Sequence, residues 1–132
     1  MTYMLDSNTC AFIMNERFGV VERFRKALPF GVCVSSIVLS ELEYGVRKSK
    51  ARERNRNKLN SLCALLSVFP YDTQATAEYG IIRNELERRG QVIGSLDMLI
   101  AAHAKSLGLT LVTNNTSEFS RVDGIALEDW VA

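Results

Sequence analysis

Histidine is nearly absent from this chain: His103 is the only one among 132 residues. That excludes paired-histidine acid–base chemistry and any multi-histidine metal site, since each needs at least two imidazoles. Proline occurs only twice, at Pro29 and Pro70, and there is no Gly/Ser linker, low-complexity tract or internal repeat. The three cysteines, Cys10, Cys33 and Cys63, sit in the apolar contexts TCAF, VCVS and LCALL without a CxxC pair. Their spacing predicts buried free thiols rather than a disulfide framework or a zinc site. No apolar run approaches the roughly 20 residues needed to cross a bilayer, and no basic segment leads into a signal-like stretch. A cytoplasmic protein with no membrane partner is expected.

What is present is enough for one core. A chain of 132 residues with 47% hydrophobic content can bury one ordinary core and is too short for two, so a single domain over 1–132 is expected. Short apolar runs alternate with longer amphipathic ones. Tyr3 to Leu5 reads as a first strand, Cys10 to Ala27 as a helix interrupted near Gly19, and Val32 to Val34 as a second strand after a turn at Pro29 to Gly31. Ser35 or Ser36 can cap a helix running to about Arg47. Leu59, Leu62, Cys63 and Leu66 recur at helical spacing within a helix from about Ala51 to Leu66. Val68 and Phe69 suggest a short third strand. Helices from Thr73 to Arg89 and from Leu96 to Leu107 end at Gly90 and Gly108, Leu109 to Val112 forms a fourth strand, and Ile125 to Leu127 a last edge strand. Short strands separated by helices need crossover connections, hence a mainly parallel sheet covered on both faces.

In such sheets ligands bind beyond the carboxyl ends of the strands. Asp6 follows the first strand, in MLDSN. Glu41 lies in the helix after the second, in SSIVLSELEYG, and Asp97 near the start of a later helix, in IGSLDMLIAAHA. The fourth strand runs into TNNTSEF, which carries Asn114, Asn115 and Glu118. Each acid also has a plainer reading: Asp6 as a helix cap, Glu41 paired with Arg47 or Lys48, Asp97 as a favourable first-turn acid. Converging carboxylates repel by about 4 kcal/mol per close pair at an effective dielectric near 20. No lysine or arginine lies beside Asp6 or Asp97 in sequence, so a hard divalent cation, Mg²⁺ or Mn²⁺, is the economical partner. A cation held by few carboxylates keeps open positions suited to phosphate-ester hydrolysis. His103, six residues after Asp97, reads as a packing or surface residue.

Charge is the other asymmetry. The net charge is +1, but Arg47, Lys48, Lys50, Arg52, Arg54, Arg56 and Lys58 stand against Glu53 alone, a local charge of +6. Such a strip attracts polyanions by field and counterion release, or is a solvated helix face. As an RNA grip it could be extended by Arg83, Arg88 and Arg89.

Together MLDSN, SSIVLSELEYG, IGSLDMLIAAHA and LVTNNTSEF resemble, in order and over nearly the whole chain, a PIN-domain ribonuclease of the VapC toxin type. The ending DGIALEDW resembles the enterobacterial members. The resemblance implies an α/β/α sandwich with a five-stranded, mainly parallel sheet. It makes Asp6, Glu41 and Asp97 the catalytic, Mg²⁺-binding acids, and Asn8 and Thr113 polar residues that orient them by hydrogen bonds. Where many members have an aspartate this chain has Asn115, so a further metal position would depend on its neutral oxygen, on Glu118, or on the RNA phosphate. Also implied are a homodimer, a cognate VapB-type antitoxin, assembly with it on operator DNA, and cleavage of RNA, in this subgroup the anticodon loop of initiator tRNA. Two other readings stay open. One is a non-catalytic PIN-like domain that binds antitoxin or RNA. The other is an aspartate-nucleophile phosphatase, which would want an acid where Asn8 stands.

Overall fold

The structure is a computed structural model describing residues 1–132. Five strands, β1 (Tyr3–Leu5), β2 (Val32–Ser35), β3 (Ser67–Phe69), β4 (Thr110–Val112) and β5 (Ala126–Glu128), form one sheet in the order β3-β2-β1-β4-β5. Every pairing is parallel, with Met4 opposite Cys33 on one side and Leu111 on the other. Each strand therefore needs a crossover, which the helices supply. They are α1 (Ser7–Met14), α2 (Val20–Ala27), α3 (Ser36–Lys48), α4 (Arg52–Cys63), α5 (Thr73–Arg88), α6 (Ser95–Ser106) and α7 (Thr116–Phe119). The sheet is covered on both faces, and the central strands are accordingly apolar throughout: Met4, Leu5, Cys33, Val34, Leu111 and Val112 are all buried. No helix is long and apolar enough to cross a membrane.

The chain leaves β1 toward β2 and β3 on one side and returns to β4 and β5 on the other. The strand order thus reverses between β1 and β4, and their carboxyl ends flank the crevice where open α/β sheets bind ligands. The sheet extends to that point, since Asp6 N donates to Val112 O at 3.1 Å.

Two local features depart from the sequence expectation. The helix expected over Cys10 to Ala27 is broken near Gly19 as expected, but over several residues, and its first half, α1, begins earlier, at Ser7. Glu16, Phe18 and Gly19 between them have φ of 53°, 56° and 68°. Three left-handed residues so close together end a helix outright, and only the glycine announces this in sequence. The TNNTSEF segment, expected only as a polar cluster, contains the one-turn helix α7. The cysteines are free, and burial pushes the Cys33 thiol up to about 12.

Candidate active site at the carboxyl edge

Asp6 is where β1 stops and α1 starts. Its extended backbone makes it the N-cap, and its Oδ1 accepts from Thr9 N at 2.8 Å. The carboxylate is 5% exposed, and no other protein group donates to it. The cap thus fixes one oxygen and leaves Oδ2 for something else. Capping and site roles, alternatives in the sequence, coexist on different atoms of one side chain.

Glu41 is half-buried on α3, and its Oε1 accepts from Ser7 Oγ at 2.6 Å. This bond joins two helices that leave neighbouring strands, so the first residue of α1 aims the acid of α3. Asp97 is half-buried in the first turn of α6. Burial, then the charges of Glu118, Asp6 and Glu41, push its carboxyl above the ordinary aspartate range. The other three acids therefore all bear on Asp97. None forms an ion pair; every lysine and arginine salt bridge in the molecule is made elsewhere.

The polar residues around them divide differently from expectation. Asn8 is exposed and makes no side-chain hydrogen bond; the neighbouring Ser7 makes the bond to a carboxylate. Thr113 is buried, but its Oγ1 accepts from Asn115 N at 2.9 Å and so shapes the turn after β4 rather than touching an acid. Asn115 Nδ2 donates to Glu118 Oε2 at 2.9 Å. The amide thus holds the acid three residues on, and Glu118 is the charge listened to most strongly by Asp97. Gly94 caps α6, and a Cβ there would stand 3.4 Å from Asp97 Oδ2. Neither Gly94 nor Ser7 was singled out by the sequence as a site residue, although each lies within three residues of an acid.

A cleft of about 880 Å³ runs from this edge between α1 and α3, lined by Ser7, Asn8, Glu41, Tyr44, Lys48 and Leu96 among others. A second hollow, about 650 Å³ beside α5 and Lys105, lies away from the acids. As the side chains stand, no three His, Cys, Asp or Glu groups close into a cage for an ion. A hard cation such as Mg²⁺ needs no such cage, because it keeps several waters and takes one or two carboxylates. The donor set fits one: oxygen only, anionic, and without a counter-ion of its own.

The basic strip occupies the end of α3, its following turn and α4. Arg56 pairs with Glu43 through both guanidinium ends, Lys58 Nζ donates to Asn15 Oδ1 at 3.0 Å, and Arg52 Nε donates to Arg47 O at 2.8 Å. Lys48 Nζ lies 5.1 Å from the Tyr44 ring centroid. Arg47, Lys50 and Arg54 are exposed with no side-chain ion pair or hydrogen bond. Arg83 and Arg88 on α5, and Arg89 at its C-cap, are engaged with Glu85 and Glu87.

An all-parallel α/β sheet that gathers unneutralised acids at its switch point is the arrangement of the PIN domain, and the PIN-domain family model matches residues 3–125. The chain is 47% identical over 131 residues to the tRNA(fMet)-specific endonuclease VapC of Salmonella typhimurium, covering 98% of each. It is 42% identical to the ribonuclease VapC2 of Rickettsia felis, again covering 98% of each. Its fold superimposes with a TM-score of 0.93 on the Rickettsia felis VapBC2 structure bound to a promoter DNA fragment, at 40% identity and covering 98% of this chain and 99% of that one. The DNA-bound VapBC of Salmonella typhimurium gives the same score at 46% identity, covering 98% of each. The chain belongs to the PIN-domain family, in its VapC branch.

Proposed function

We propose that the chain is the toxin of a type II toxin–antitoxin pair, a metal-dependent endoribonuclease that hydrolyses RNA, with the anticodon loop of initiator tRNA as substrate. The observation that carries this reading is the set of acids at the switch point, three of which bear on Asp97 while no base neutralises any of them. The names of the similar proteins support the substrate and the antitoxin partner. The chain works as a single domain in the cytoplasm, as a homodimer that a VapB-type antitoxin restrains and assembles on operator DNA.

Asp6, Asp97 and Glu41 would hold Mg²⁺, which Mn²⁺ could replace, with Asn115 and the Glu118 it holds as further contributors. Bound there, the cation supplies the positive charge that offsets the carboxylates and the phosphate and stabilises the charge developing on it. Ser7 occupies Glu41 Oε1, leaving Oε2 to take the proton of the attacking water. The new bond is from that water oxygen to phosphorus, the bond to the ribose 3′ oxygen breaks, and that oxygen takes up a proton from solvent water. The products carry a 5′-phosphate and a 3′-hydroxyl. Arg47, Lys50 and Arg54 meet RNA phosphates, with Lys48, Arg52, Arg56 and Lys58 adding field.

Mapping RNA 5′ ends after brief induction of this chain alone tests the proposal. New ends in the initiator tRNA anticodon loop, lost with Asp6→Asn and Asp97→Asn, are expected. Growth arrest that is equal for the wild type and both variants would instead support the non-catalytic reading.

A further inference from the structure

We propose that His103 is a positioning residue that sets the separation of Glu41 and Asp97 by locking the start of α3 onto α6, a role that rests on the metal-site reading above. Ser35 ends β2, is fully buried, and caps α3 by accepting from Ile37 N at 3.1 Å. The same Oγ lies 2.7 Å from His103 Nδ1, and the histidine is 1% exposed. A hydroxyl oxygen that accepts the cap bond still has its own proton to donate. In either neutral tautomer of the imidazole one hydrogen bond joins Oγ and Nδ1. Burial holds His103 below the ordinary histidine range, against the opposing pull of Asp72, and so keeps the ring neutral. Tyr71 packs edge-on to His103 with centroids 5.5 Å apart, and Tyr71 N donates to Ser36 Oγ at 3.0 Å. The segment after β3 therefore closes over the same corner.

The consequence lies along the two helices. Ser35 precedes Glu41 by six residues and His103 follows Asp97 by six. The serine touches the histidine while Glu41 bears on Asp97, and the two helices pack together, so α3 and α6 run antiparallel between these points. Each carboxylate stands about 9 Å along its helix from the pin, at 1.5 Å per residue. A helix is stiff over that length, so a slip at the pin is carried to the acids. Productive geometry at a reacting site must be held to about 0.5 Å. An apolar residue in place of His103 would fill the space but fix neither the length nor the direction of the α3–α6 contact. A buried hydrogen bond fixes both. Nothing about the position of His103 places it on substrate; it acts through Ser35 and the cap.

The test is Mn²⁺ binding to the purified chain by calorimetry, read alongside RNA cleavage. His103→Leu and Ser35→Ala should each weaken Mn²⁺ binding about tenfold, the scale seen when a residue supporting a metal ligand is lost. Each should lower kcat while leaving KM for RNA unchanged. His103→Asn, whose amide can reach the Nδ1 position, should recover most of that binding. The double variant should be no worse than either single one, because both remove the same link. A folded His103→Leu that binds Mn²⁺ as the wild type does would overturn the role. A second measurement needs no variant: if pin and site are coupled, the coupling is reciprocal, and saturating Mg²⁺ should slow hydrogen exchange at Ile37 N–H. Unchanged exchange would also overturn it. Asp97→Asn separates this inference from the reading beneath it. If that variant loses Mn²⁺ while His103→Leu keeps it, only the positioning role falls; if Asp97→Asn also keeps it, both fall.

Discussion

At the acidic edge, Asp6, Glu41, Asp97 and Glu118 share one end of the sheet with no cation among them. Along α3 and α4, seven cations share a surface with Glu53 as the one acid of their segment, yet several are already engaged: Arg56 with Glu43, Lys58 with Asn15, Arg52 with the Arg47 carbonyl. The two regions carry charge for different purposes. Neutral hydrogen bonds occur in both regions, but each of those to Asp6, Glu41 and Glu118 takes a single carboxylate oxygen and leaves the other free. Opposite charge is what separates the regions: no cation offsets any of the four acids, whereas Arg56 in the strip is matched by Glu43. A charge left unmatched in its own chain is set for something that arrives from outside.

The largest expected effect breaks the acidic side of this contrast. Asp97→Asn should lower RNA cleavage on the order of 10³-fold, the upper range for removing one group that stabilises transition-state charge. It should also raise the melting temperature in metal-free buffer by roughly 2–4 °C, because a repulsive carboxylate is gone. Cleavage kinetics and a thermal melt check both; a melting temperature that falls would mean the acids are not in mutual repulsion. Next is Ser7→Ala, which frees Glu41 from its only hydrogen bond and should weaken Mn²⁺ binding about tenfold. Asn8→Ala, which removes no hydrogen bond, should change it less than twofold on the same scale. Titration of the two variants side by side decides whether Ser7 or Asn8 supports the acids.

The strip is sharpened by dividing it. Replacing Arg47, Lys50 and Arg54 together with glutamine should flatten the dependence of log RNA affinity on log salt by about 2, at roughly 0.7 per single-strand phosphate contact. Replacing Arg56 alone should shift that slope little and cost about 1 kcal/mol of stability or less, the range for an exposed ion pair. Equal slopes for the two variants would dissolve the distinction between partnered and free cations. The smallest effect belongs to His103. Its pKa is lowered in the folded state and near 6.5 in the unfolded chain. The unfolded state therefore binds the proton first as pH falls. Stability should be flat above about pH 6.5 and decline below it, and His103→Asn should remove that part of the decline. Denaturant melts from pH 5 to 8 measure it.

The alternation of short apolar runs with amphipathic ones was enough to read five strands, their parallel sense and the end of the sheet where the acids meet, because period and capping are local signals. Asp6, Glu41 and Asp97 stood out as candidates for the same reason, each a polar interruption beside or within an apolar window, but their metal-binding role came from the family resemblance. What escaped is non-local or small. The bond between Ser35 and His103 joins residues 68 apart in sequence, and no periodicity reports such a pair. The Arg56–Glu43 pair crosses from α4 to α3, so a cation that read as free was already held. The turn at Glu16 to Gly19 depends on two non-glycine residues in left-handed backbone, a conformation their side chains do not advertise. Asn115 read as a weakened acid; in the fold it is the residue that holds Glu118.

The central claim is that the acids at the switch point serve a cation in RNA hydrolysis by water. Purified chain should therefore be incubated with initiator tRNA in Mg²⁺, in chelator, and in chelator with Mn²⁺ restored, and the ends of the products identified. The account predicts cleavage with a 5′-phosphate and a 3′-hydroxyl in the first and third conditions and none in the second. A 2′,3′-cyclic phosphate, or cutting that persists in chelator, would contradict it.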